Sequence, residues 1–234
     1  PSPRALVPSA VYHGMRDGRL VRFEEVTRCP PEIQDALISI LSEKLLIVAE
    51  LSGDDRVVLA RPGFNIIATA NTRDRGVHEM SSALKRRFNF ETVHPIRDVE
   101  LEVTLVQREC ERLLAEAGAR VTVARPVIEL LVTAFHDLRE GVTAEGIQLE
   151  KAGAVMSTAE AVAVALSAGL DARYFGAGAL TPEGICRHLA PAVTKDNAGD
   201  AGKLKHYFDV VVAQRGRHKG GVWKDFYNAR KWLG

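Results

Sequence analysis

Two adjacent carboxylates, Glu24 and Glu25, follow a short apolar run, and an asparagine, Asn71, follows another. If the two runs are neighbouring parallel strands, their ends meet at the edge of the sheet where ligands bind. One carboxylate there can hold Mg²⁺, directly or through water, because Mg²⁺ prefers oxygen ligands. The second can polarise a water that attacks a phosphate. The three groups are therefore candidates for nucleotide hydrolysis.

A cationic helix end, Lys85-Arg86-Arg87, adds a fourth part to this set. An arginine supplied by another subunit can neutralise charge on a phosphoryl group during its transfer, an effect worth 10³–10⁵ in rate for other arginine fingers. Each feature also has a structural explanation. Carboxylates can be a solvated strand end, Asn71 can be a turn residue, and the cations can complement the helix dipole. The order of the motifs along the chain favours function.

The elements that must position these groups differ between two parts of the chain. Residues 1–97 mix short apolar runs with a helix that starts at Pro30-Pro31, whereas residues 98–234 show one helix signal after another. Segments 45–51 and 56–60 flank a polar turn and predict a β-hairpin. Strands that alternate with helices predict an α/β layer with a parallel sheet, followed by an all-α region.

Helix signals in the second part are regular. Predicted helices run from Asp98 to about Ala117, from Pro126 to about Glu140, from Ser157, from Thr181, and over about 201–214 and 222–233. The first of them has an expected apolar face of Val99, Val103, Val106, Cys110 and Leu113. Ser157 and Glu160 have the spacing of a capping box, which is favoured over a contact to nucleotide.

The runs GRLVRFEEVTRCPPEIQDALISILSEK and PGFNIIATANTRDRGVHEMSSALKRRF resemble the MoxR-type, dynein-related branch of the AAA+ ATPases, closely over about residues 5–97. In that family, a Walker B strand ends in Asp-Glu and is followed by an arginine and a helix that begins at proline. A β-hairpin then precedes a sensor 1 strand that ends in asparagine, and a short helix ends in an Arg-Phe pair. The resemblance implies a partial P-loop NTPase sheet and a helical lid.

The resemblance also implies residue roles. Glu25 matches the Walker B catalytic glutamate, and Glu24 stands on the metal side of the pair. Asn71 matches the sensor 1 residue, and Arg28 matches the arginine that follows Walker B. Arg87 matches the arginine finger before Phe88, with Arg86 as the alternative. Hairpin 45–60 matches the hairpin before sensor 1, which often faces the pore of the ring.

Four departures from the family pattern concern the same site. No G-x-x-x-x-G-K-[ST] occurs in the 234 residues, so the cradle for the β- and γ-phosphates is missing from them. Glu24 replaces the family's aspartate, and Arg22 interrupts a strand expected to be apolar. The SPRA motif that often carries the sensor 2 arginine has its nearest match at residues 157–161, which contain no arginine, so sensor 2 is unassigned.

Composition excludes several other classes. The net charge of +1 argues against a protein that coats nucleic acid. Segment 152–170 is apolar but carries Glu160, and a central carboxylate disfavours insertion into a membrane. Three dispersed cysteines, with no CxxC pair, fit a reducing cytoplasm. His78, His136 and His188 are expected to be structural or surface residues, and no metal spacing is present among the histidines.

The chain is therefore interpreted as an N-terminally truncated piece of an ATPase, inactive alone. Residues 1–97 form the C-terminal part of the nucleotide-binding domain, and residues 98–234 form the lid and C-terminal helices. By resemblance, the intact protein hydrolyses ATP with Mg²⁺ in a homo-oligomeric ring, expected to be a hexamer. It acts as a chaperone-like remodeller, beside a partner with a von Willebrand A domain. The alternative is a non-catalytic AAA-like scaffold that binds partners.

Overall fold

The structure, a computed structural model, describes residues 7–49, 51, 53–71, 78–153, 156–195 and 197–233. The chain divides into two compact units, Pro1–Thr92 and Val93–Gly234. The first contains strands and helices, and the second consists of helices joined by loops. This confirms the predicted α/β part with a parallel strand pair, followed by an all-α part.

The first unit interleaves strands with helices. In chain order its elements are α1 (Ala10–Asp17), β1 (Leu20–Phe23), α2 (Pro31–Ser42), β2 (Leu45–Ile47), β3 (Val57–Leu59), β4 (Asn65–Ala68) and α3 (Ser82–Lys85), with 3-10 turns at Val26–Arg28 and Gly53–Arg56. Strand β1 lies beside β4, and the two run parallel. Strands β2 and β3 pair antiparallel, as the hairpin prediction required. Positions 50 and 52 of the predicted hairpin lie outside the described residues.

One face of the β1–β4 pair is buried and the other is open. Val21 and Ile66 lie opposite each other and pack into a core that includes Met15 and Leu84. Leu20 and Ile67, which point the other way, are 59% and 56% exposed. Since side chains alternate along a strand, Arg22 shares the open face with Leu20. Arg22 therefore does not interrupt the buried face of β1, because it lies on the face that is open in the described part of the chain.

The turn into β1 depends on two glycines. Gly18 ends α1 at a φ of 67° and Gly63 has a φ of 97°, both in the left-handed region. A Cβ on Gly18 would lie 2.4 Å from the Pro62 carbonyl oxygen, and one on Gly63 would lie 2.6 Å from the Gly18 oxygen. Only glycine allows these two backbones to approach so closely. The turn before β1 therefore packs directly against the turn before β4.

The second unit is a helical assembly. Its elements are α4 (Val99–Glu116), α5 (Arg125–Glu140), α6 (Thr158–Phe175), α7 (Pro182–Thr194), α8 (Asp200–Tyr207), α9 (Ala213–Lys219) and α10 (Gly221–Asn228), with a π-helical turn at Phe208–Val212 and a 3-10 turn at Ala229–Leu233. The helix predicted over 201–214 extends to Lys219, because the π-helical turn joins α8 to α9 without a break. That turn places Phe208 in the core, where its ring contacts Phe226.

The caps of these helices follow the sequence signals. Asp98 caps α4 by accepting from the Leu101 N–H, and Thr181 caps α7 by accepting from the Gly184 N–H. Gly141 ends α5 in the left-handed region, at a φ of 71°. Short polar side chains at helix starts satisfy backbone donors that have no partner within the helix. The predicted starts of α4 and α7 and the predicted end of α5 are confirmed.

The apolar face of α4 differs from the predicted one at its two ends. Val99 is 41% exposed, since it occupies the first helical position, before the turns that pack against the core. Leu114 is buried, whereas Leu113 is only partly buried. Leu114 lies against Gly169 of α6, where a Cβ would come within 3.1 Å of it. Leu114 is therefore buried because its side chain packs against Gly169 of α6.

Among the described residues, no helix combines the length and the apolar character needed to cross a membrane.

Candidate functional site

The carboxyl ends of β1 and β4 lie side by side. Phe23, the last residue of β1, is opposite Ala68, the last residue of β4. Glu24 and Glu25 follow Phe23 directly, and Asn71 lies three residues beyond Ala68. The structure therefore brings together the two strand ends that carry the predicted acidic and amide groups. Residues 72–77, which follow Asn71, lie outside the described residues.

Thr69 joins the two strand ends through three hydrogen bonds. Its N–H donates to the Phe23 carbonyl at 2.9 Å, and its own carbonyl accepts from the Val26 N–H at 2.9 Å. Its hydroxyl oxygen accepts from the Glu25 N–H at 3.0 Å. Sequence reasoning missed this residue. The available signal was its place two residues before Asn71, at the end of a strand expected to neighbour the carboxylates.

The backbone of Glu25 is in the left-handed region, with φ 52° and ψ 50°. Residues other than glycine rarely adopt this conformation, because the Cβ approaches the backbone too closely. Such outliers persist only where surrounding contacts determine them, and they cluster at functional sites. At Glu25, its own N–H and the N–H of Val26 donate to Thr69, and its carbonyl accepts from the Arg28 N–H at 2.8 Å.

Each carboxylate of the pair meets an arginine of its own segment. Arg22 Nη2 lies 2.6 Å from Glu24 Oε1, and Arg28 forms an ion pair with Glu25. Sequence analysis gave no role to Arg22, and the structure places it as the partner of Glu24. All four side chains are more than half exposed. Ion pairs in such exposed positions contribute little and exchange partners readily.

The carboxylate oxygens at this edge of the sheet are of the type that binds Mg²⁺. Carboxylate oxygens are hard ligands, and Mg²⁺ in nucleotide sites uses one or two of them together with waters and phosphate oxygens. In the part of the chain that the structure describes, no group of three or more His, Cys, Asp or Glu side chains could hold a metal ion. Glu24 and Glu25 contribute two carboxylates of the ligand type that Mg²⁺ binds.

The candidate finger arginines lie at the other end of α2. Arg87 donates through Nε to the Ser42 hydroxyl at 2.6 Å and through Nη1 to the Ala83 carbonyl at 2.6 Å. Ser42 is the last residue of α2, whose first residue, Pro31, follows the acidic pair closely. A helix of this length spans about 18 Å. Arg86 and Arg87 are both exposed, and the two hydrogen bonds hold Arg87 within its own unit.

A buried carboxylate organises the start of the helical unit. Glu102 has a fully buried side chain and bonds to His136 at 2.5 Å, to the Thr158 hydroxyl at 2.7 Å and to Arg139 at 3.2 Å. Arg139 also donates to the Ile96 carbonyl at 3.1 Å. Burial acts to raise the pKa of Glu102, but the three hydrogen bonds outweigh it and lower the pKa from 4.5 to about 2. Glu102 is therefore a structural anion at neutral pH.

The start of α6 is the segment nearest to the sensor 2 motif in sequence. Ser157 and Glu160 form the complete predicted capping box, with the Ser157 N–H donating to Glu160 Oε2 at 2.6 Å. Lys195 at the end of α7 pairs with Glu160. The cap prediction is confirmed, and sensor 2 remains without an assigned residue.

The cysteines provide no nucleophile in the helical unit. Cys110 and Cys186 are buried free thiols. Burial raises the pKa of Cys110 to about 11 and that of Cys186 to about 12. Since the thiolate is the reactive form, these side chains behave as small apolar core residues.

Comparison with known proteins assigns both units. Residues 1–88 match the AAA domain of the dynein-related subfamily, and residues 100–234 match the YehL-like AAA+ ATPase C-terminal domain. The chain is 48% identical over 230 residues to the uncharacterized protein YehL of Escherichia coli (strain K12), which covers 98% of this chain and 62% of that protein.

Two staphylococcal proteins match a shorter stretch. Uncharacterized proteins of Staphylococcus haemolyticus and of Staphylococcus aureus (strain USA300) are 32% and 33% identical over 82 residues, which is 35% of this chain and 30% of each relative. The chain thus spans less than two thirds of the length of the relatives it matches. Since the C-terminal family match alone covers more than half of the 234 residues, the chain belongs to the YehL-like AAA+ ATPases.

Proposed function

We propose that this chain supplies the hydrolytic side of an ATP site, to which another part of the full-length protein supplies the phosphate cradle. The observation that supports this most directly is the parallel pairing of β1 with β4, which sets Glu24 and Glu25 beside the strand end that carries Asn71. Polar groups at adjoining carboxyl ends of parallel strands are the usual ligand site of open α/β sheets.

The proposed roles follow from the chemistry of each side chain. Glu25 polarises the attacking water as a general base. Glu24 faces the metal side, and Asn71 orients the water or the γ-phosphate. Arg28 holds Glu25 when no nucleotide is bound. Mg²⁺, when it is bound with ATP, supplies charge neutralisation on the phosphate oxygens.

Arg87, or Arg86 in its place, is proposed to act on the nucleotide of a neighbouring subunit. Its position at the far end of α2 from the acidic pair supports a role in a different site from that of its own Glu25. Sites shared between subunits require a head-to-tail ring, and a homohexamer is the proposed assembly. Arg87 would have to release Ser42 and Ala83 to reach a neighbour.

The cellular role is proposed from the family resemblance. It is chaperone-like remodelling of other proteins in the cytoplasm, with a von Willebrand A domain protein as the partner. Free cysteines at positions 29, 110 and 186 are compatible with a reducing compartment.

The test uses the full-length protein encoded by the gene. Glu25→Gln should abolish ATP turnover and leave ATP binding within about twofold, because the amide keeps the shape but cannot act as the base. Glu91→Gln, an exposed position in the same unit, should turn over ATP like the wild type. Retained turnover in Glu25→Gln would refute the assignment of the base.

The alternative is a scaffold that binds partners without hydrolysis, and it is favoured by Glu24 in place of aspartate. The same experiment separates the two. A start codon near Pro1, or a full-length wild type without ATP turnover, supports the scaffold, whereas an in-frame GxxxxGK[ST] with turnover supports the ATPase.

A further inference from the structure

We infer that Thr69 is a positioning residue for Glu25: its hydroxyl fixes the backbone from which the glutamate carboxylate projects. The inference rests on the proposed role of Glu25 as the base, but the contact itself can be tested without ATP turnover. Thr69 directly follows β4, and no sequence motif had assigned it a role.

The hydroxyl is the one side-chain contact in a set of three bonds. The Thr69 N–H and carbonyl bond to Phe23 and Val26 through backbone atoms at 2.9 Å each. Those two bonds do not involve the Thr69 side chain. The bond from the Glu25 N–H to Thr69 Oγ1, at 3.0 Å, is the one that a substitution removes. The contribution of the hydroxyl can therefore be separated from the pairing of the strand ends.

That bond acts with the backbone bonds of Val26 and Arg28 to hold an unfavourable conformation of Glu25 in place. Glu25 has a positive φ of 52°, which an L-residue leaves unless its neighbours prevent it. The direction of its Cα–Cβ bond, and hence the reach of its carboxylate, depends on this backbone geometry. If φ returned to negative values, the direction in which the carboxylate projects from the main chain would change. Since catalysis is sensitive to displacements of about 1 Å, the rate should depend on the hydroxyl.

The ion pair between Glu25 and Arg28 does not explain how the backbone of Glu25 is held. The ion pair of Glu25 with Arg28 involves the side chain and is more than half exposed, so it can restrain the carboxylate only weakly. Thr69 acts instead on the main chain of Glu25. Because Thr69 precedes Asn71 by two residues, the same short segment sets the places of both proposed catalytic groups.

The first test measures amide hydrogen exchange by NMR in the 234-residue chain. Thr69→Val keeps the β-branched shape and removes the hydroxyl, so exchange at the Glu25 N–H should accelerate roughly tenfold. Exchange at the Val26 N–H, which bonds to the Thr69 carbonyl, should stay within about twofold, and Thr69→Ser should restore protection at Glu25. Unchanged exchange at Glu25 in Thr69→Val would overturn the inference.

The second test measures steady-state ATP turnover of the full-length protein. Thr69→Val should lower kcat about tenfold and leave KM within about twofold, since substrate binding does not involve the hydroxyl, and Thr69→Ser should restore kcat. Thr69→Ala should match Thr69→Val. Thr104→Val, which removes a hydroxyl bonded to a backbone carbonyl in the helical unit, is the control and should leave both constants unchanged.

The outcomes distinguish the inference from the proposed function. Turnover that depends on Glu25 but not on Thr69 overturns the inference and leaves the ATPase assignment intact. A wild type without turnover refutes the proposed function, and the role of Thr69 in hydrolysis falls with it, while the exchange experiment still decides the contact between Thr69 and Glu25. A kcat restored by Thr69→Ser supports the inference, because a purely steric role would not distinguish serine from alanine.

Discussion

Two glutamates of this chain pair with arginine in opposite surroundings. Glu25 and Arg28 are each more than half exposed. Glu102 is fully buried, and the Arg139 that contacts it is 7% exposed. An exposed pair can open at little cost, which suits a group that must exchange partners during turnover. A buried pair is costly to open, because it leaves a charge without compensation. The exposed Glu25 is therefore the candidate catalytic carboxylate, and the buried Glu102 is a structural one.

The structural carboxylate should set the acid stability of the helical unit. The pKa of Glu102 is lowered from 4.5 to about 2, so its pairing stabilises the fold above pH 4.5 and is lost as the pH falls toward 2. Glu102→Gln should lower the free energy of unfolding by on the order of 3 kcal/mol at pH 7. The difference from the wild type should shrink by about 2 kcal/mol at pH 3.

Urea titrations at pH 7, 5 and 3 check this, followed by tryptophan fluorescence. Both tryptophans, Trp223 and Trp232, lie in the helical unit, so the signal reports that unit alone. Glu111→Gln makes the same chemical change on the exposed face of α4 and should have little effect at any of the three pH values. A constant difference between Glu102→Gln and the wild type from pH 7 to pH 3 would contradict the assigned role.

At the scale of elements, a single substitution at the start of α6 can measure how much its capping box contributes to stability. Ser157 and Glu160 satisfy each other's backbone N–H groups, and Lys195 pairs with Glu160. Ser157→Ala should lower the stability of the helical unit by about 1 kcal/mol, because the Glu160 N–H loses its acceptor. Urea denaturation at pH 7 measures the change.

Ser167→Ala is the matched control within the same helix. Ser167 lies on the exposed face in the middle of α6, where alanine is the better helix former, so this variant should be neutral or slightly more stable. Equal destabilisation by the two substitutions would show that the cap contributes nothing beyond the general effect of a serine-to-alanine change.

Local sequence signals predicted the helices and strands well. The features that they did not predict depend on contacts between different elements. The caps at Asp98, Ser157 and Thr181 depend on residues within one turn, so the sequence specified them. The choice of Leu114 over Leu113 depends on Gly169, which lies in another helix. The hydroxyl of Thr69 likewise acquires its role only when β4 pairs with β1. No local pattern contains such information.

At the scale of the whole molecule, the chain contains a glutamate proposed for one ATP site and an arginine proposed for another. The acidic pair precedes α2, and Arg87 is held at the last residue of α2. If each site combines the Glu25 of one subunit with the arginine of its neighbour, an isolated subunit cannot complete a site. Activity should then depend on assembly and rise steeply with protein concentration.

Mixing two inactive variants of the full-length protein tests this arrangement. Arg87→Ala lacks the finger and Glu25→Gln lacks the base, so each alone should be inactive. In rings assembled from equal amounts of both, an intact Glu25 faces an intact Arg87 at roughly a quarter of the interfaces, and about that share of wild-type ATP turnover should return. The same mixture with Arg86→Ala decides between the two arginines, since only the variant of the true finger is inactive alone and rescued by mixing. Absence of rescue for both would place the arginines within their own subunit's site or outside catalysis, because a shared site must recover whenever complementary neighbours meet.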